Sequence, residues 1–244
     1  MWSARKADPH FRELDPRRIV DTVEALSRRV NERFPGSSLG GLIGELLRVS
    51  NQTVERMAWI QRPHYPLRIT TWLVVAGMLV VLEKLLLNFN QFTVTDFSGF
   101  ITLLEAALSS IVFIGAAIVF LVSWERRIKR DRALQAIHEL RAMAHILDMH
   151  QLTKDPERYL VKGFDTASSP KRAMTPFELN RYLDYCSEAL ALLSKVAALY
   201  VQGFQDEVVL EAVDDVEDLT ASFSRKIWQK LIILENLKQT IEER

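Results

Sequence analysis

Two apolar stretches on either side of a short polar turn constrain this chain more than any other feature. The first, residues 67–89 (LRITTWLVVAGMLVVLEKLLLNF), is interrupted by Glu83 and Lys84. The second, residues 97–124 (FSGFITLLEAALSSIVFIGAAIVFLVSW), has Glu105 as its only charge. A bilayer core of roughly 30 Å is crossed by about 20 mostly apolar helical residues, and both stretches have that length. The remainder of a chain this size offers too little apolar surface to bury two such helices in a soluble core. The expected fold is therefore all-α: a two-helix transmembrane hairpin joined to a helical bundle.

The flanks orient the hairpin. Arg62 and Arg68 lie at its start, and Arg126, Arg127, Lys129, Arg130 and Arg132 follow it, whereas the connecting stretch NFNQFTVTDFSG contains no Lys or Arg. Positive flanks stay on the cytoplasmic side, so both termini are expected in the cytoplasm and the turn outside. That places the chain in an inner membrane as a multi-pass protein, with the lipid bilayer as its first partner. Tyr65 and Trp124 are expected at one interface, and Phe89, Phe92 and Phe97 at the other. The start, MWSARKADPHFRELD, has no apolar run of signal-peptide length, so insertion is expected to come from the internal segments alone.

Charges inside such a hairpin carry information, because an isolated charge in lipid is costly and either pairs or faces water. With the turn centred near Val94, Glu83 and Glu105 are each eleven residues away, at matching depth. One reading pairs Lys84 with Glu105 across the hairpin near the outer interface. The other places Glu83 and Glu105 around the mouth of a cation pathway, which requires a homo-oligomer since two helices cannot enclose a pore. Small residues on the second stretch (Ala106, Ser110, Ala117 and neighbouring Gly115) suit close helix packing in lipid.

Composition narrows the chemistry. Lys plus Arg and Asp plus Glu both number 31, giving zero formal charge, which removes the bulk electrostatics of a nucleic-acid binder. A single cysteine, Cys186, excludes an internal disulfide framework and any multi-cysteine metal cluster. Phosphate-binding glycine loops, the serine-hydrolase elbow, zinc-protease and dinucleotide motifs are all missing, and no cofactor is expected. An enzyme is thus the lesser expectation.

The expected division is an N-terminal helical segment (1–66), the transmembrane hairpin (67–124) and a cytoplasmic helical bundle (125–244). Asp15-Pro16 starts a helix as N-cap and N1 proline, with Ile19, Val23, Leu26 and Val30 as its stripe and Pro35-Gly36 as its end. A second helix runs from about Ser38 to Gln61, and the two prolines in RPHYP (62–66) break the chain before the membrane. This N-terminal pair is expected either along the membrane surface or docked on the bundle. Beyond Trp124 the second span continues without a breaker to about Leu152. His138, Arg141, His145 and Asp148, spaced three, four and three, share one polar face of that helix. His145 and Asp148 are the candidate metal pair there, needing a third ligand from elsewhere. Thr153 to Thr175 is the longest expected loop. Thr175-Pro176-Phe177-Glu178 is a capping box that opens a helix to about Val201, with Cys186 in its core. The last helix has a series spaced by four and three (Val209, Val213, Val216, Thr220, Phe223, Ile227, Lys230, Leu234, Leu237 and Ile241), a coiled-coil-like assembly seam. That seam needs a partner, in the bundle or in a second subunit.

Three stretches, HELRAMAHILDMHQLTKDPERY (138–159), YLDYCSEALALLSKVAALYVQ (182–202) and SRKIWQK (224–230), resemble a group of uncharacterised bacterial two-span membrane proteins. The resemblance covers the C-terminal half and implies a bacterial inner-membrane setting. In layout alone, hairpin plus cytoplasmic helices, the chain is also similar to two-span effector modules suspected of forming pores. The leading expectation is a non-enzymatic, oligomeric membrane protein whose cytoplasmic helices serve assembly or partner docking. A homo-oligomeric channel or pore-forming effector stands second, and a metal-binding membrane enzyme third.

Overall fold

The structure, a computed structural model, describes residues 13–62, 65–88, 97–156, 167–169 and 174–242. Among the described residues it is all-helical, with six helices: α1 (Pro16–Arg33), α2 (Ser38–Gln61), α3 (Tyr65–Asn88), α4 (Phe97–Leu152), α5 (Pro176–Gly203) and α6 (Glu207–Glu242). The chain divides into two compact units, one formed by Met1–Gln61 with Ala133–Arg244 and the other by Arg62–Arg132. These units group the helices differently from the expected three-part division. The N-terminal helices are not a separate segment but part of the bundle, and residues 125–132 belong with the apolar hairpin segment.

Local chemistry sets the helix ends. The Asp15 carboxylate accepts from the amides of Arg17 and Arg18 at 2.9 and 3.4 Å, satisfying donors that the first turn leaves free. Gly36 takes φ +69° in the tight turn into α2, a conformation that costs a side-chain-bearing residue about 1 kcal/mol or more. The Ser37 hydroxyl then accepts from the Gly40 amide at 3.1 Å. At α5 the Thr175 hydroxyl accepts from the Glu178 amide at 3.2 Å, while the Glu178 carboxylate accepts from the Thr175 amide at 2.7 Å. Pro66 lies within the first turn of α3, where proline is tolerated, so the break before α3 is shorter than the five residues of RPHYP.

In the larger unit α5 is the central helix and packs against α1, α2 and α6. It is apolar around most of its circumference, the property of a helix with neighbours on every side. Leu179, Leu183, Cys186, Leu190, Leu193, Val196, Ala197 and Tyr200 are all buried. Ile19, Val23, Leu26 and Val30 of α1 face it, with Phe34 set edge-on to the rings of Tyr182 and Tyr185 at 5.7 and 6.3 Å. Ala133, Ile137, Leu140, Ala144 and Leu147 of α4 join the same core. Val209, Val213, Val216, Phe223, Ile227 and Leu234 of α6 are buried there too, none more than 6% exposed. The seam is therefore filled by the chain's own bundle. Of the two partners expected for the seam, the bundle is the one observed along these residues.

The smaller unit holds α3 and the part of α4 up to Arg132. Many of its described apolar side chains are exposed: Ile69, Trp72, Leu73 and Val80 on α3, and Ile101, Leu104, Leu108, Ile111, Val112, Phe113, Val119 and Phe120 on α4. Among the described residues no helix is long and apolar enough to cross a membrane. Phe89, Phe92 and the turn between the two helices lie outside the described residues.

Candidate functional site

The expected polar face of α4 is the seat of α6. Arg141 donates to Asp215 at 3.4 Å, the His145 ring meets the edge of Phe223 with centroids 5.6 Å apart, and Lys226 approaches Asp148 at 3.9 Å. His138, the fourth member, is exposed and touches none of these groups. Surface pairs of this kind contribute under about 1 kcal/mol each, so their effect is to set register between helices whose apolar sides supply the cohesion. Asp148 also accepts from the Gln151 side-chain amide at 2.6 Å. The two candidate metal residues thus have protein partners, and among the described residues no group of three or more His, Cys, Asp or Glu is placed to hold a metal ion.

The seam expectation included Lys230 but gave its charge no partner. Its ammonium donates to the Gln151 carbonyl at 2.6 Å, satisfying one of the orphan acceptors at the C-terminal end of α4. Half-burial pulls its pKa below the ordinary lysine range, against the pull of Asp155 and Asp148. A polar residue in an otherwise regular seam is the signal that could have marked it. Cys186 lies nearby in the core, and burial pushes its thiol up to about 12, so it is neither a nucleophile nor a ready ligand.

A second polar layer joins α2, α4 and α5. The buried Tyr200 hydroxyl donates to Thr53 Oγ1 at 3.1 Å, and Thr53 donates on to the Val49 carbonyl at 2.9 Å. Arg56 forks onto Glu139 at 3.0 and 3.5 Å, and its charge opposes the rise that burial gives the Tyr200 hydroxyl's pKa. Nothing in the residue spacing announced this layer, since its members come from three helices.

An open groove of about 600 Å³ lies between the end of α1 and the start of α5, lined by Arg29, Glu32, Arg33, Thr175, Phe177, Glu178 and Tyr185. Arg29 is already clamped to Glu188 by two bonds of 3.1 and 2.5 Å, and Arg33 lies over the Phe177 ring. With two glutamates balancing two arginines, the groove has no net electrostatic preference.

In the smaller unit Glu83, Lys84 and Glu105 are all exposed, and no ion pair joins Lys84 to Glu105 among the described residues. The outward apolar surface ends in an aromatic pair, Phe120 and Trp124, with centroids 5.3 Å apart, followed by Arg126 and Arg127, both exposed. Lys129 is held by Glu125 at 2.9 Å and donates to the Arg62 carbonyl at 3.0 Å. This surface, apolar along its length and basic at one end, is the candidate functional surface. Comparison of the chain with protein-family models, with curated proteins and with solved structures finds no match.

Proposed function

We propose that the protein is an integral membrane protein whose α3–α4 hairpin crosses the lipid bilayer of an inner membrane. The turn faces outward, both termini are cytoplasmic, and the helical bundle serves assembly or partner docking. The observation that carries this reading is the outward apolar surface of the smaller unit, where Trp72, Leu73, Leu108 and Phe113 are each more than 60% exposed. Water would penalise such a surface by about 25 cal/mol for every Å², and exposed apolar area far beyond a single residue marks a membrane or protein contact. The sequence supports it further: residues 106–124 of α4 contain no charged side chain and extend about 28 Å at 1.5 Å per residue, close to a hydrocarbon core. Docking by the bundle is supported by Trp228 and Ile232, which stand exposed one turn apart on α6.

The test is membrane fractionation followed by labelling of an introduced thiol. A Thr95→Cys chain should sediment with membranes and react with an impermeant maleimide from outside the cell, and a Lys154→Cys chain only after lysis. Cys186 stays silent in both, being buried with its thiol pushed up to about 12. Recovery in the aqueous supernatant, or labelling of Thr95→Cys from the inside only, would sink the reading.

A homo-oligomeric ion channel is the second reading, favoured by the absence of any pair between Lys84 and Glu105. Charges exposed at that depth require water or a neighbouring subunit. Ion flux through liposomes carrying the purified protein, with selectivity altered in Glu83→Gln or Glu105→Gln, is the expected result. Silent bilayers across a pH series argue against a channel and leave the membrane-anchored bundle standing.

A further inference from the structure

We infer that the basic end of the hairpin, Arg62, Arg126 and Arg127 beside Trp124, binds phosphate diesters of anionic phospholipid headgroups. The inference rests on the membrane reading above and specifies which lipid chemistry the surface recognises. Trp124 is 46% exposed and Phe120 59%. Arg127 follows Trp124 by three residues and Phe120 by seven, so all three share one side of α4. An exposed tryptophan beside a buried-in-lipid stretch marks the headgroup level, and at 1.5 Å per residue Arg127 stands about 4.5 Å beyond it, where phosphates lie.

The other side of the helix is occupied differently. The Lys129 ammonium is only 11% exposed and is consumed by Glu125 and by the Arg62 carbonyl. It therefore does not face solvent as a headgroup ligand. Its bond to the Arg62 carbonyl ties residue 62 to this turn of α4. Arg62, Arg126 and Arg127, all exposed, make up the basic band at this end of the hairpin. Among the described residues none of the three is paired with a carboxylate, and Asp131, one turn past Arg127, makes no bond to it. Several other arginines are paired: Arg28 with Glu24, Arg29 with Glu188, Arg48 with Glu45 and Arg56 with Glu139. Three unpaired cations at the rim of an apolar surface lack a counter-charge that the protein does not supply. Guanidinium presents a planar fork that matches phosphate oxygens, and the stretch sits where lipid phosphates are concentrated.

Full-length protein in nanodiscs of equal phosphatidylcholine and phosphatidylglycerol, released in the gas phase and weighed with its retained lipids, provides the test. Retained lipid should be predominantly phosphatidylglycerol. Each Arg→Gln substitution at 62, 126 or 127 should lower that preference by about fivefold, from the worth of one basic residue near an anionic surface. The preference should also fall as salt is raised, because the band is exposed. Arg28→Gln, on the bundle surface, should leave it unchanged. Equal retention of the two lipids by the inserted wild-type chain, or retention unaffected in the triple Arg→Gln variant, overturns the inference while leaving membrane insertion intact. Protein that does not enter nanodiscs at all overturns the membrane reading instead. In detergent without lipid, tight binding of free glycerol phosphate would assign the band to soluble phosphate esters, overturning the lipid assignment; absence of binding supports it.

Discussion

A single hydroxyl illustrates how strongly buried polar atoms are held in this bundle. Tyr200 is 1% exposed, and its hydroxyl donates to Thr53. Tyr200→Phe keeps the ring and its packing but leaves Thr53 Oγ1 without its donor. The expected cost is about 1–2 kcal/mol, read as a lowered midpoint of thermal unfolding followed by circular dichroism in detergent. His150 makes a prediction of a different kind. Burial, with help from Lys154, holds its pKa below the ordinary 6.5, and Ser38 is its neighbour at 3.3 Å. The unfolded chain therefore binds the proton more readily than the folded one, so this residue's stability contribution is full above about pH 6.5 and is lost as pH falls through the lower folded value. Wild type compared with His150→Gln should show a stability advantage at pH 7.5 that shrinks at pH 5. An advantage independent of pH would remove histidine titration from the account.

At the scale of the element, caps and crossings decide more than propensity. Thr175→Ala removes the hydroxyl that accepts the Glu178 amide and should cost about 1 kcal/mol, seen as faster amide exchange through the first turn of α5. Glycines in α2 separate two effects. A Cβ at Gly44 meets nothing within 4 Å, so Gly44→Ala should stabilise by about 0.5–1 kcal/mol through helix propensity. A Cβ at Gly40 would stand 2.6 Å from Asn31 Oδ1, and the Asn31 amide is held at 2.9 Å by the Ser27 carbonyl. Gly40→Ala should therefore be less stable than Gly44→Ala by about 1 kcal/mol or more in parallel melts. Much of this level was legible beforehand. The Asp15-Pro16 start, the Thr175 capping box and the unbroken run to Leu152 all correspond to observed helix ends, since capping is a matter of residues within four positions of one another. The start of α3 was displaced because proline is harmless in a first turn.

For the whole molecule, the open question in the sequence was what covers the regular stripe of α6. The structure answers that the bundle does, so Val213→Asp should not merely dissociate subunits. An unpaired carboxylate at a position 2% exposed should destabilise the larger unit by about 3–5 kcal/mol. Size measurement should find loss of the folded bundle, with exchange-protected amides gone from α5 as well as α6. A folded bundle with only a changed subunit number would restore the seam to an assembly role. If subunits do associate, the exposed Trp228 and Ile232 are the better place to disrupt them.

The sequence by itself determined the helices, their order and their caps, and it located the apolar hairpin segment, because hydropathy and capping act over a few turns of one chain. It also identified which face of α4 is polar. It did not determine which helix sits in the middle. Tyr182, Leu192, Val196 and Tyr200 of α5 are buried because α1, α2 and α6 surround it, and that depends on all of them at once. Likewise, His145 and Asp148 look like a metal pair until Phe223 and Lys226 are brought against them. Period and charge can be read along one helix; which neighbour satisfies a face is settled by packing between segments far apart in the chain, and only the tertiary structure supplies it.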